Sequence, residues 1–184
     1  MVEDEALYRR FVDGEENALR ELIERHGNNL TFYINGYTHD LNEAEDLMLE
    51  AFARVVAKNP HFDERGFKAY LYKTGRNLAL RYIAKRRRQC SFSFEDLGCE
   101  PESAELLEDI LHTKDRNRIV HLSMERLHLE YREVLYLLYF EGLSYKEAAA
   151  VMHKTERQIA NLVYRGKQAL RTILEKEGMT DAQY

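Results

Sequence analysis

The chain contains no tryptophan, two prolines, nine glycines and two cysteines among its 184 residues. Each scarcity closes off a class of protein. So little proline and glycine cannot supply the turns of an all-β fold or the composition of a low-complexity chain. The two cysteines, Cys90 and Cys99, cannot build a disulfide framework, and nothing nearby completes a tetrahedral metal set. Reduced thiols are the expectation. The longest apolar run, Val134 to Phe140, covers seven residues, against the ~20 that a membrane-spanning helix needs. The opening MVEDEALYRR has neither the basic start nor the apolar core of a secretory leader, so none is expected. What remains is long 3.6-residue periodicity, which predicts an all-α protein of one or two domains.

The formal net charge of −5 hides a strong segregation. Residues 1–60 hold 13 acidic and 6 basic side chains, net −7. Residues 61–88 hold 2 acidic and 9 basic, net +7. Residues 89–115 hold 8 acidic and 1 basic, net −7, and residues 116–184 hold 9 acidic and 11 basic, net +2. Local field, not total charge, decides which surface attracts phosphate. One basic block sits between two acidic ones, an order that calls for an explanation.

Apolar spacing predicts a short helix over 4–12, closed by Asp13-Gly14, and a second from about Glu16 to Tyr37 with Gly27 inside it. A third is expected to be capped by Asn42, with Ala44, Leu47, Met48, Ala51, Phe52 and Val55 as its apolar stripe. Asn59-Pro60 stops it. A fourth runs from about Gly66 to Arg88, with Phe67, Tyr70, Leu71, Leu78 and Ile83 inward and Lys68, Lys73, Arg76, Arg81 and Lys85 on a basic surface. The pattern then breaks over QCSFSFEDLGCEPES. The expected organisation is a first domain over 1–88, an acidic linker over 89–103, a second domain over 104–178 and a tail over 179–184. Four helices are predicted in the second domain, near 104–126, 130–141, 145–152 and 156–176.

The last two carry the sharpest local signal. Ser144 with Glu147 fits S-x-x-E, and Thr155 with Gln158 fits T-x-x-Q. In each, a hydroxyl accepts a backbone N–H while the third residue on reaches back to the cap. Two starts eleven residues apart leave a short helix, a turn at His153 and Lys154, and a longer helix. That is the geometry of a helix-turn-helix, whose second helix enters the DNA major groove. Here it carries Arg157, Gln158, Asn161, Arg165, Lys167 and Arg171, side chains suited to base edges and phosphates.

With these residues in hand, the chain resembles a known family. NEAEDLMLEAFARVV followed by FKAYLYKTGRNLALRYIAKRRR looks like region 2 of the sigma-70 family. HLEYREVLYLLYFEGLSYKEAAAVM followed by the recognition helix looks like region 4. With no other conserved segment between them, the chain is similar to the extracytoplasmic-function group of bacterial sigma factors, over about Leu7 to Leu174. The resemblance implies a non-enzymatic factor that binds core RNA polymerase, recognises promoter −10 and −35 elements and directs transcription initiation in the cytoplasm. It also implies a fold of two helical domains, a sigma region 2 bundle and a sigma region 4 helix-turn-helix.

The resemblance assigns roles to residues. Glu45, Asp46, Leu47, Glu50 and Phe52 would dock on the β′ clamp of the polymerase; from the residues alone, dipole-complementing charge on a solvated helix is the favoured reading of the carboxylates, and the resemblance reverses that preference. Lys73, Arg76, Asn77, Arg81 and Lys85 would meet the −10 element. The loop with Phe62 and Arg65 would capture an unstacked base, as single-strand binders do by stacking. Phe62 also fits a hydrophobic plug beneath that loop, and Asn77 a brace to a neighbouring segment. Tyr70 stands where many members have tryptophan, and it also fits the core. Thr155, Arg157, Gln158, Asn161, Arg165 and Lys167 would read the −35 element, Gln158 being shared between capping and base reading. Ala160 and Leu162 occupy positions where many members carry Lys or Arg, which leaves fewer phosphate contacts. The acidic linker would thread a polymerase channel or act as a solvated tether; its fifteen or so residues reach roughly 50 Å.

The implied partners are core RNA polymerase, through its β′ clamp and β flap, promoter DNA, and an anti-sigma factor that holds the free protein silent. A monomer is expected when these are absent, with no membrane insertion, no cofactor and no metal. Two other classes compete. A conventional regulator would dimerise on palindromic half-sites, but the basic block at 61–88 gives two unlike DNA surfaces in one chain. An enzyme acting on nucleic acid would need a phosphate loop, an HExxH or a metal set. None is present, and the seven histidines are scattered.

Overall fold

The computed structural model describes residues 3–62, 66–92 and 123–176, with side chains described up to Arg88 in the middle stretch. Among the described residues every regular element is helical, and the chain divides into two compact units, Met1–Glu102 and Ser103–Tyr184.

The first unit contains α1 (Asp4–Val12), α2 (Glu16–Thr38), α3 (Leu41–Lys58) and α4 (Phe67–Phe92). Its core collects one apolar stripe from each: Leu7 of α1, Leu22, Leu30 and Ile34 of α2, Ala51 and Val55 of α3, Phe67, Leu71 and Tyr72 of α4. The cap of α3 is Asp40 rather than Asn42. The Asp40 backbone is extended and its carboxylate accepts the Glu43 N–H at 3.2 Å, which places Asn42 already inside the first turn. Asn59 closes α3 in the left-handed conformation, just before the proline. α4 continues past Arg88 to Phe92, because neither proline nor glycine interrupts the chain until Gly98. Gly75 lets α4 approach α2 closely: a Cβ there would lie 3.0 Å from Leu30 Cδ1 and 3.2 Å from Ile34 Cδ1.

The second unit contains α5 (Leu129–Leu135), which widens into a π-turn over Tyr136–Phe140, then α6 (Tyr145–Met152) and α7 (Glu156–Lys176). The expected helix over 130–141 is therefore not α-helical throughout: the Glu141 N–H bonds five residues back to the Tyr136 carbonyl. Gly142, at φ +66, then turns the chain toward α6. Val134, Leu137, Val151 and Ile159 are fully buried and hold the helices together. α4 thus takes up residues 89–92, expected to belong to the linker; the rest of the linker and the helix expected near 104–126 lie outside the described residues, apart from 123–126, helical over 123–125. Gly166 accommodates Leu135, whose Cδ1 lies 3.3 Å from where a Cβ would stand, so α7 packs tightly on α5.

Candidate nucleic-acid interfaces

Both capping boxes read from the sequence are formed. The Glu147 N–H donates to Ser144 Oγ at 3.2 Å, and the Ser144 N–H donates to Glu147 Oε2 at 2.7 Å. The Gln158 N–H likewise donates to Thr155 Oγ1 at 3.3 Å, and Thr155 N–H to Gln158 Oε1 at 2.8 Å. Between the helices His153 adopts φ +54, a left-handed cap without glycine. Lys154 then reaches back to Glu130 of α5 at 2.7 Å, tying the turn to the preceding helix.

α7 buries Ile159, Val163, Gly166 and Leu174 and leaves the opposite face exposed. Thr155, Arg157, Gln158, Asn161 and Arg165 are all exposed there. The cap uses only the carbonyl oxygen of Gln158, so its NH2 group still projects outward. A bidentate reading of adenine needs both ends of the amide, and the cap leaves Gln158 only its NH2 end. Lys167 is exposed too, but its ammonium sits over the Tyr139 ring, 4.8 Å from the centroid, a cation–π contact that draws it toward α5. Tyr164 was not singled out from the sequence. It is 68% exposed and lies one turn beyond Asn161, on the same outward face. Its three-residue spacing from Asn161 was a signal available in the sequence.

On α4, Lys73, Asn77, Arg81 and Lys85 recur every four residues and line one flank. Twelve residues of helix carry that flank about 18 Å. Lys73, Arg76 and Asn77 are half-buried, whereas Arg81 and Lys85 are exposed. Phe62 is 9% exposed and packs edge-on against Tyr8, Phe67 and Tyr70, with ring centroids 5.1, 5.7 and 5.6 Å away. Tyr70 is the half-buried ring at the rim of this cluster. Arg65 lies outside the described residues.

On α3, Glu45, Asp46 and Glu50 are exposed, while Leu47 and Phe52 are buried in the core of the unit. Glu50 pairs with Arg54 at 2.6 Å, an exposed i,i+4 contact of the kind that contributes ~0.3–0.5 kcal/mol and is readily exchanged for another partner. The apolar residue that shares the outer face is Leu49, 52% exposed. Sequence patterning passed over it because it lies off the core stripe.

α1 supplies connections that no local motif announces. Asp4 accepts from Arg25 Nη1 at 2.7 Å and contacts His26 Nε2 at 2.7 Å. Burial pushes the Asp4 carboxyl up, but the His26 and Arg25 contacts outweigh it and hold it below its ordinary value of 3.8. Glu5 accepts from the N–H groups of Gly66 and Phe67 at 2.7 and 3.0 Å. Among the described residues no group of three or more His, Cys, Asp or Glu could hold a metal ion, and no helix is long and apolar enough to cross a membrane.

One helical unit carries a basic helix and the other a helix-turn-helix, the motif of a DNA-binding protein. Residues 22–89 match the family described as Sigma-70 region 2, and residues 117–170 match Sigma-70, region 4. The ECF RNA polymerase sigma factor SigM of Bacillus subtilis is 26% identical over 161 residues, covering 88% of this chain and 97% of that protein. Two solved structures share the fold at TM-score 0.65 and 21% identity. One is CnrH in complex with the cytosolic domain of CnrY, covering 94% of this chain and 97% of that one. The other is the sigma factor RpoE with the anti-sigma factor NepR from Bartonella quintana, covering 85% and 96%. The chain belongs to the sigma-70 family, in its extracytoplasmic-function group. It is a sigma factor that acts with RNA polymerase in transcription initiation, and not an enzyme.

Proposed function

We propose that the two units divide promoter recognition between α4 and α7, with α3 facing the polymerase. The observation that carries this is the placement of charge on helix faces. Arg157, Asn161 and Arg165 share the open face of a capped recognition helix, while Lys73, Asn77, Arg81 and Lys85 share one flank of α4. α7 reads the −35 element from the major groove, with Arg157 and Asn161 at base edges, Arg165 on phosphate and Tyr164 extending the contact face by one turn. Thr155 and Gln158 set the entry of the helix, and only the NH2 end of Gln158 is left for base contact. Lys167 braces α7 against Tyr139.

α4 meets the −10 element through its basic flank. Base capture falls to the rim of the aromatic cluster, where Tyr70 is the more accessible ring and Phe62 supports it from beneath; Arg65 belongs to the same loop. On α3, Glu45, Asp46 and Glu50 with Leu49 between them form the face for a basic partner surface, the β′ clamp. Leu47 and Phe52 act indirectly by holding that face in place. The second unit would take the β flap. The Bartonella sigma factor is seen in complex with an anti-sigma factor; this one would likewise bind an anti-sigma factor that holds it when idle, and it would work in the cytoplasm, where polymerase and template are.

Replacing Glu45, Asp46 and Glu50 together by alanine tests the polymerase face. The expected result is a loss of core-polymerase binding with unchanged helical content. Unchanged affinity would remove α3 from the docking surface.

A further inference from the structure

Gly66, the residue before α4, has no side chain with which to cap it. Gly66 stands at the N-terminal boundary of the helix with φ +154, a backbone conformation that residues with side chains rarely adopt, and no acidic residue lies in the first turn. The cap comes instead from α1, 61 residues earlier: Glu5, 8% exposed, accepts the N–H groups of Gly66 and Phe67 on one oxygen. The next turn of α1 reaches the other side of the same connection. The Tyr8 hydroxyl donates to Asn59 Oδ1 at 3.2 Å at the end of α3, and its ring meets Phe62 and Phe67. Asp4, next to Glu5 in sequence, touches neither of these and holds Arg25 and His26 of α2 instead.

We infer that Glu5 is a positioning residue for −10 recognition, fixing the start of α4 and with it the aromatic cluster and the basic flank. The inference rests on the proposal that α4 engages the −10 element. A helix start presents unsatisfied N–H groups and a partial positive charge, and it attracts phosphate. At the end of a DNA-binding helix such a site would compete with the lysines and arginines for the backbone. Glu5 fills it with a carboxylate of the protein's own. Phosphate contact is thereby confined to the Lys73–Lys85 flank, and the first turn, which carries Phe67 and Tyr70, cannot fray away from Phe62.

The test uses the full chain assembled with core polymerase. Two DNAs are compared, a duplex carrying only the −35 element and a fork with the nontemplate −10 bases single-stranded. Wild type should prefer the −10 fork over a scrambled fork; without that preference the −10 assignment of α4 fails, and this inference with it. Given the preference, Glu5→Ala should weaken fork binding roughly fivefold, the change expected for losing a helix cap, and leave −35 binding unchanged. Glu5→Gln keeps an acceptor oxygen on the same stem and should restore most of the fork affinity. Glu5→Asp draws the carboxylate back by one methylene and should behave like the alanine variant, so it supplies the contrast if Glu5→Ala does not fold. Asp4→Asn loosens α1 from α2 without touching α4; it should lower the melting temperature and leave fork affinity intact. Wild-type fork binding by folded Glu5→Ala or Glu5→Asp would overturn the inference. So would a loss in Asp4→Asn equal to theirs, which would reduce Glu5 to a contributor to stability.

Discussion

Arg157 and Gln158 are neighbours at the start of α7, yet the cap treats them differently. The Gln158 carbonyl oxygen is engaged with Thr155, whereas Arg157 projects from the exposed face. A residue that reads a base should lose discrimination on truncation, and one that contacts phosphate should lose affinity for every sequence. Arg157→Ala is therefore expected to reduce −35 discrimination by about 1–3 kcal/mol, measured as the ratio of holoenzyme binding to matched and mismatched −35 duplexes. Asp4 gives a second residue-scale expectation. Its folded pKa lies below the ordinary 3.8, so its ion pairs add stability above that pH. The contribution is lost as pH falls from there through the lowered folded value. Denaturant unfolding at pH 5 and pH 3 should show this loss, and Asp4→Asn should make the fall between the two shallower.

At the scale of elements, α6 and α7 were legible from residues 144–174 because a capping box is a local device. Donor and acceptor lie three residues apart, so the sequence displays both. The boundary of α3 was misplaced by the same local logic, since Asp40 and Asn42 both suit a cap and only the backbone direction after Thr38 decides between them. The cap of α4 could not be read locally, because Glu5 and Gly66 are far apart in the chain. The fate of Phe62 was equally hidden: its neighbours Tyr8, Phe67 and Tyr70 come from two helices on either side of it in sequence. Gly75 shows how closely the elements fit. Leu30 and Ile34 are fully buried, so a Cβ at Gly75 must displace their terminal methyl groups within a packed core. Gly75→Ala should destabilise the first unit by about 1 kcal/mol, with an overpacking penalty of ~1–3 kcal/mol outweighing the ~1 kcal/mol gain in helix propensity. A lowered denaturation midpoint with an unchanged slope would be the observed sign.

For the whole molecule, charge segregation is the property that the sequence displayed most openly. An overall net charge of −5 coexists with a +7 block whose exposed basic members among the described residues, Arg81, Lys85, Arg87 and Arg88, lie on α4. Neutralising Lys85 should weaken holoenzyme binding to all promoter sequences alike and lower the dependence of log affinity on log salt by about one unit. What the sequence displayed less well was which members of each charged or apolar cluster face outward. Leu47 and Phe52 fit a docking surface by position and are buried, while Leu49 and Tyr164 lie off the surfaces that spacing marks and are exposed. Composition and spacing name the cluster; packing decides its membership.

The central claim is that this chain gives core RNA polymerase a promoter specificity built from two separate elements. The most direct measurement is in vitro transcription with purified core polymerase on a genomic DNA library, mapping every start site with and without the protein. The expected result is a set of start sites that appear only with the protein and share one motif near −10 and another near −35, the second lost selectively in Arg157→Ala. Start sites that do not depend on the protein, or that share no such pair of motifs, would contradict the account.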